Sequence, residues 1–462
     1  MNSAPTRFRD EFIPLFRSLI RNACVNTGDA DSGDEDRSVA TLQKYFAQKG
    51  LSGTVLHARP GRGNLLIRIP GKVPGSPSLM FMGHLDVVPA EASDWSVDPF
   101  SAEEKDGQIW GRGAVDMLCW TAAQAVGFAS AVEKAAQKGF PGDLVFLAVA
   151  DEEASGRWGA RFLTEKHWDL VQADYMITEL GGFFYETSKG PIAFCTRGEK
   201  GVAWTKLTFR GTPGHGSMPF LTNNAVVKAS LAVVQLAKAR FPTVRSPLYS
   251  TLAQSVAQGW RERLAFSTGW GESWALGRLF KRNPGMARFL QTAGVPTLSC
   301  NTVHGGTKVN IVADRAEVMV DCRLLPGMEI SGWHRCLRTI LGKSLGAEVE
   351  IEQMDWFPSN VSPRNQPLFS AVEDLFHRVH PEARLVDLFI GGVTDGRYWR
   401  AKGTTVLGFS LFDRSFTIDD FGARIHGIDE RIDLTSLELA VNFFSDLPER
   451  FFQKASAPTN PQ

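Results

Sequence analysis

Two apolar runs frame this chain. Leu79–Met82 and Leu144–Ala150 carry no polar side chain. Unbroken runs of that length predict strands buried on both faces, as in a parallel sheet. Gly83 is expected to end the first run. Asn64–Pro70, Gln108–Gly113, Tyr175–Thr178 and Thr405–Phe409 read as further strands. Between them the period lengthens to that of a helix. Phe8, Phe12, Leu15, Phe16, Leu19 and Ile20 share one face of a helix over Phe8–Arg21, and Val39–Lys49, the alanine-rich Thr121–Gln137 and Arg161–Lys166 follow. Strands alternating with helices predict an α/β sheet.

The pattern changes near Gly201. Val202–Phe209 alternates apolar with polar, as in a sheet with one wet face. Val309–Leu325 reads as two strands, Ala347–Gln353 as another, and Asn224–Ala239 and Trp333–Leu341 as helices. Together they predict a smaller α+β domain inserted into the first. Arg240–Pro296 reads as irregular, with Trp260, Trp270 and Trp274 expected to pack that segment's own core, or else to line an apolar pocket. Pro358–Pro367 reads as a return linker, after which helices over Phe369–His380 and Leu434–Phe444 complete the first domain. The expected division is residues 1–200 and 356–462 for one domain and 201–355 for the insertion.

A length of 462 residues agrees with two domains. Lysines and arginines number 50, as do aspartates and glutamates, so the balance calls for neither nucleic acid nor an anionic membrane as partner. No apolar run reaches the length of a membrane span, and charges break every apolar stretch near the N-terminus, unlike a signal peptide. Six scattered cysteines form no Cys-x-x-Cys and read as reduced thiols. A cytoplasmic location is the expectation.

Candidate chemistry gathers where predicted strands end. His84 and Asp86 follow Leu79–Met82, two positions apart and so on one face of extended chain. Asp116 follows the turn Gly111-Arg112-Gly113. Asp151-Glu152-Glu153 follows the second apolar run, and Glu179 follows Tyr175–Thr178. His426 lies in Arg424-Ile425-His426-Gly427-Ile428-Asp429-Glu430. Such anions with two histidines are expensive to gather in a partly buried site without cations. Imidazole and carboxylate together suit Zn²⁺, with Co²⁺, Mn²⁺ or Fe²⁺ as substitutes. Five ligands sharing one carboxylate make two sites, a device of aminopeptidase-type hydrolases.

Gly83-His84-Leu85-Asp86-Val87-Val88-Pro89, Trp110-Gly111-Arg112-Gly113-Ala114-Val115-Asp116-Met117 and Asp151-Glu152-Glu153 resemble the M20 metallopeptidase and deacylase family. The resemblance runs in order from about residue 10 to 450 and is nearest the carboxypeptidase S-like branch. It implies a zinc-peptidase-like mixed sheet flanked by helices, with an inserted α+β lid and dimerisation domain. It implies that Asp116 bridges two zinc ions, with His84 and Glu179 completing one site and Glu153 and His426 the other. Glu152 would be the general base on the bridging water, with Asp86 behind the site and a cis peptide at Asp116–Met117.

Gly211-Thr212-Pro213-Gly214-His215-Gly216-Ser217 resembles the lid motif whose histidine, here His215, stabilises an oxyanion. Asn310 and Arg323 match lid positions that hold a substrate carboxylate, and Gly391 and Gly392 match a glycine-rich substrate loop. The chain departs from the family in running from Asp116-Met117 into Leu118-Cys119-Trp120, where Lys-Gly is usual. Neither replaced residue is a ligand, and Cys119 reads as a buried helix thiol.

The resulting expectation is a metal-dependent hydrolase. It would cleave the amide of small N-acyl amino acids or dipeptides with a free carboxylate. A homodimer would form through the lid. Two other readings stand beside it. One is a non-catalytic, metal-containing protein that binds amino-acid conjugates, against which the retention of Glu152 argues. The other is a zinc aminopeptidase acting on free N-termini, against which His215, Asn310 and Arg323 argue.

Overall fold

A computed structural model describes residues 7–456. Residues 1–6, on which part of the signal-peptide argument rests, lie outside it. The chain divides into two compact units, one of residues 1–197, 362–388 and 394–462, the other of residues 198–361 and 389–393.

The first unit opens with helices α1 (Ile13–Arg21) and α2 (Asp36–Gln48). Strands β1 (Thr54–His57), β2 (Gly63–Ile69) and β3 (Leu79–His84) follow, then helix α3 (Leu118–Lys134) and strand β4 (Leu144–Val149). Helix α4 (Ala160–Lys166) leads to β5 (Tyr175–Thr178), β6 (Gly181–Thr187) and β7 (Gly190–Glu199). Gly83 does not end its strand: β3 runs through it to His84, because Gly83 and His84 still pair with Ala148 and Val149 of β4. A side chain at Gly83 would strike Thr121 Oγ1 at 2.4 Å, so the glycine serves close packing of α3 on the strand.

β3 lies between β4 and β5 and is parallel to both, while β2 is antiparallel to its neighbours β1 and β4 and β7 also runs against the parallel strands, giving a mixed sheet. β3 and β4 are wholly buried, as their unbroken apolar runs require. The carboxyl ends of three adjacent parallel strands therefore open on one edge, where α/β sheets place ligand sites.

The second unit holds β8 (Gly201–Arg210), helix α5 (Ala225–Ala237) and then four short helices: α6 (Pro247–Val256), α7 (Gly259–Thr268), α8 (Glu272–Arg282) and α9 (Pro284–Gly294). The expectation of an irregular segment over Arg240–Pro296 is thereby corrected. Its prolines start helices rather than break them. Pro247 and Pro284 occupy first turns, where the missing N–H is no loss, and the preceding Ser246 and Asn283 accept the backbone N–H of Tyr249 and Met286. Strands β9 (Thr297–Gly305) and β10 (Arg315–Leu324), helix α10 (Ile330–Ile340) and strand β11 (Glu350–Phe357) complete the unit. Its antiparallel sheet runs β9-β10-β8-β11. Alternate residues of β10 are buried beneath α5 and α10.

The chain then returns to the first unit through helix α11 (Pro367–Val379), strand β12 (Arg384–Ile390), helix α12 (Gly396–Arg400), strand β13 (Thr405–Gly408) and helix α13 (Leu434–Ala455). β13 joins the sheet parallel to β5.

Candidate metal centre

Each predicted ligand of the first unit sits where a strand or turn delivers it. His84 is the last residue of β3, Glu153 lies in the turn after β4, and Glu179 follows β5 directly. Asp116 and His426 arrive together by another route. The short strand Gln108–Trp110 pairs with Arg431–Asp433, which draws the turn before Asp116 beside the loop that carries His426.

The five side chains converge as two triads. His84, Asp116 and Glu179 each offer an atom within 4.8 Å of the others, and so do Asp116, Glu153 and His426. Asp116 belongs to both. His84 Nε2 lies 3.3 Å from Asp116 Oδ1, and His426 Nε2 lies 3.1 Å from both Asp116 Oδ2 and Glu153 Oε2. The Asp116–Met117 peptide is cis. His84 Nδ1–H donates to the carbonyl of Asp86 at 2.9 Å, which fixes the ring with Nε2 aimed into the cluster.

The electrostatics of so many buried acids favour a cation. Burial works against a charged His84, yet hydrogen bonds to Asp116 and Asp86 hold its pKa well above the usual range. Hydrogen bonds to Asp116 and then Glu153 push His426 up to about 10. Burial pushes Glu152 and Glu179 well up, and neighbouring carboxylates add to the effect. Glu153 Oε1 is buried with no hydrogen-bond partner. Without positive charge the histidines themselves take up protons to neutralise the acids. Divalent ions do this better, and the nitrogen and oxygen donors fit them.

Asp86, expected behind the site, and several residues that sequence reasoning missed hold the ligands in place. Asp86 accepts the backbone N–H of Glu152 at 3.1 Å and of Glu153 at 3.0 Å, so it fixes the turn bearing both. Asn26 donates to Asp86 at 2.8 Å and to Asp151 at 3.1 Å. Asp151 and Ser155 flank that turn with φ of 69° and 78°, a left-handed backbone unusual for such residues and one that marks functional turns.

Glu430 makes the tightest knot. Its carboxylate accepts the backbone N–H of Gly113, Val115 and Asp116, at 3.1, 2.6 and 2.9 Å, and pairs with Arg112 at 2.8 Å. Four positions after His426, it ties that loop to the one carrying Asp116. Asp395, buried with neither carboxylate oxygen partnered, adds negative charge near Glu152. The only sequence signal for either was an acid beside a motif. Cys119 is a buried helix thiol whose pKa burial raises, so it behaves as packing.

The second unit carries the remaining candidates. His215 pairs with Ile311 across a short two-stranded ladder, and the N–H of Gly216 donates to the Asn310 carbonyl at 2.8 Å, so His215 and Asn310 are neighbours. The backbone N–H of Ser217 donates to His215 Nδ1, which leaves Nε2 as the protonated nitrogen.

Arg323 is gripped by Asp321 through Nε and Nη2, while Nη1 is buried without a partner. Beside it lies Lys200, buried, with Nζ 3.2 Å from Thr297 Oγ1. Burial and then the Arg323 charge push this amine down to about 7. The N–H of Lys200 bonds the carbonyl of Ile390, next to Gly391 and Gly392. Neither glycine has positive φ and both have room for a Cβ, so backbone conformation does not require glycine there.

Fold and donor set together define a metal-dependent hydrolase. A model of peptidase family M20/M25/M40 matches residues 80–450, and the chain belongs to that family. It is 27% identical over 458 residues to N-fatty-acyl-amino acid synthase/hydrolase PM20D1.1 of Danio rerio, covering 95% of this chain and 85% of that one. It is 25% identical to aminoacylase-1 of Homo sapiens, covering 91% and 90%. Among solved structures, the M20 family metallo-carboxypeptidase Sso-CP2 of Sulfolobus solfataricus superposes with a TM-score of 0.72 at 17% identity, covering 96% of this chain and all of that one.

Proposed function

We propose that the chain hydrolyses the amide bond of N-acyl amino acids, with dipeptides as secondary substrates, and that it does so with two zinc ions. Cobalt or manganese would substitute. The shared carboxylate carries this reading: Asp116 stands in both triads, and Glu152 lies close enough for its ionisation to respond to His84, Glu153 and Asp116.

His84, Asp116 and Glu179 would hold one ion, and Asp116, Glu153 and His426 the other. When bound, such ions polarise a carbonyl and acidify water. Glu152 takes the proton of the attacking water on its carboxylate and delivers it to the departing amine. Asp86 keeps the Glu152 turn in place through its two backbone hydrogen bonds. His215 offers Nε2–H to the developing oxyanion. Arg323 Nη1, Lys200 and Asn310 receive the substrate carboxylate, with Gly391 and Gly392 beside them.

Two relatives named for acting on N-acyl amino acids support the acyl conjugate over the peptide. A screen of N-acyl amino acids of rising acyl length against dipeptides, with zinc- and cobalt-reconstituted enzyme, tests this choice. Chelation should abolish turnover and either metal should restore it. A pure, active preparation free of metal would end the proposal. Arg323→Ala should raise KM for free-carboxylate substrates about 10–100-fold, since a charge-assisted hydrogen bond contributes ~1.5–3 kcal/mol. KM for the matching methyl esters should change little, and equal effects on acid and ester would remove Arg323 from the pocket.

We also assign a homodimer contact to the second unit. Val227, Leu231 and Val234 form an exposed apolar stripe on α5, and β9 is an edge strand. Light scattering on the purified protein measures the mass. Six free cysteines suit a reducing, cytoplasmic setting.

A further inference from the structure

The segment from residue 240 to 296 has no part in the hydrolytic reading. Its four helices close around a core of their own, with Tyr249, Leu252, Phe266, Leu279 and Leu290 buried. The tryptophans expected in that core point elsewhere. Trp260 is 69% exposed, Trp270 86% and Trp274 48%, and Leu264 is half exposed. Trp260 and Leu264 stand four apart on α7 and share a face. Trp270 and Trp274 straddle the start of α8, which packs against α7. Indole rings are among the largest apolar surfaces a chain can bury, and three of them left exposed within fifteen residues, 260 to 274, make an apolar patch rather than a scatter.

Charge is concentrated in the same place. The chain as a whole is neutral, yet residues 240–296 hold eight lysines and arginines against two glutamates. Both glutamates are engaged, Glu262 with Arg278 and Arg282, and Glu272 with Arg245. Arg261 and Lys281 are exposed, and among the described residues no carboxylate pairs with either. The Arg261 guanidinium lies 5.3 Å from the Trp260 ring centre, and that of Arg278 lies 5.6 Å from the ring of Trp274. Indole interleaved with basic side chains matches an anionic lipid interface. Rings settle at headgroup depth, and cations meet the phosphates.

We propose that α7 and α8 form a docking surface for an anionic lipid interface, with Trp260, Trp270 and Trp274 inserted at headgroup level and Arg261 and Lys281 against the phosphates. No helix among the described residues is long and apolar enough to cross a membrane, and the proposed attachment is peripheral and reversible. Net charge over the whole chain conceals such a surface, because acids elsewhere cancel it. The proposal goes beyond the hydrolytic reading and stands without it. The two are also chemically compatible, because a long-chain N-acyl amino acid is itself an anionic amphiphile that partitions into such an interface.

Co-sedimentation of the full chain with vesicles, without substrate, tests it. Binding to equimolar phosphatidylcholine and phosphatidylglycerol should be at least about tenfold tighter than to phosphatidylcholine alone, weaken with salt, and shift tryptophan emission to the blue. The triple variant Trp260→Ala, Trp270→Ala, Trp274→Ala should lose most of that binding. It should keep its melting temperature and its turnover of a short-chain soluble substrate. Arg261→Glu with Lys281→Glu should abolish the preference for anionic vesicles.

Equal binding to both vesicle types would overturn the proposal. So would a folded triple variant that binds as the wild type does. Loss of self-association in the triple variant, with no vesicle binding by the wild type, would assign the surface to a second copy instead. Hydrolysis assayed separately keeps a failure here distinct from a failure of the proposed reaction.

Discussion

Glu152→Gln should leave the bound metal unchanged and lower kcat by about 10²–10⁴-fold, the range that a positioned acid–base group contributes. Metal content should survive because Glu152 belongs to neither donor triad, and because its turn is held through backbone N–H groups on Asp86, which the substitution leaves intact. Turnover should fall because an amide cannot take up and release the proton. Burial favours the protonated carboxyl, and the charges of Asp395, Glu153 and Asp116 add to it while His84 opposes. Elemental analysis alongside steady-state kinetics separates the two effects. A metal-loaded Glu152→Gln enzyme with wild-type kcat would remove Glu152 as the base, and one without metal would place it among the ligands.

Glu430→Ala should weaken metal affinity about 10–100-fold, the usual cost of losing a group that orients ligands. It should also lower stability by ~3–5 kcal/mol, because Arg112 is left as a buried, unpaired cation. Three backbone N–H groups lose their acceptor at the same time, one of them that of Asp116 itself. Both triads contain Asp116, so both should suffer. Glu430→Gln keeps the shape and one acceptor oxygen and should fall between. Competition with a chromophoric chelator measures affinity, and thermal melting of metal-free protein measures stability. Wild-type metal affinity in a folded Glu430→Ala variant would show that the loops hold their geometry without this carboxylate.

The two residues differ in how far the sequence reveals them. Glu152 lies two positions after a seven-residue apolar run and next to a second glutamate, so strand, turn and acid are read within ten positions. Glu430 is an acid in a polar loop, and its partner Gly113 is 317 positions away. Nothing local distinguishes it from a solvated side chain. Asn26 and Asp395 were invisible for the same reason. The extent of β3 shows a related limit. Glycine is a sound local signal for a strand end, but pairing with β4 carries the strand through Gly83. In the helical segment after Arg240 the caps Ser246 and Asn283 were present in the sequence, each followed by a proline in the first helical turn, yet the segment read as irregular.

Short stretches determined the apolar strands and the identity of the donors, because periodicity and side-chain chemistry are properties of a few consecutive residues. Family resemblance then assigned those donors to a common centre. Tertiary structure alone decided that Asp86 caps the Glu152 turn, that Glu430 knots two loops, that Lys200 stands beside Arg323, and that three tryptophans face outward. Each of these depends on which distant segments share a packed neighbourhood, and hydrogen bonding and burial at such places follow from the whole fold rather than from the local chain.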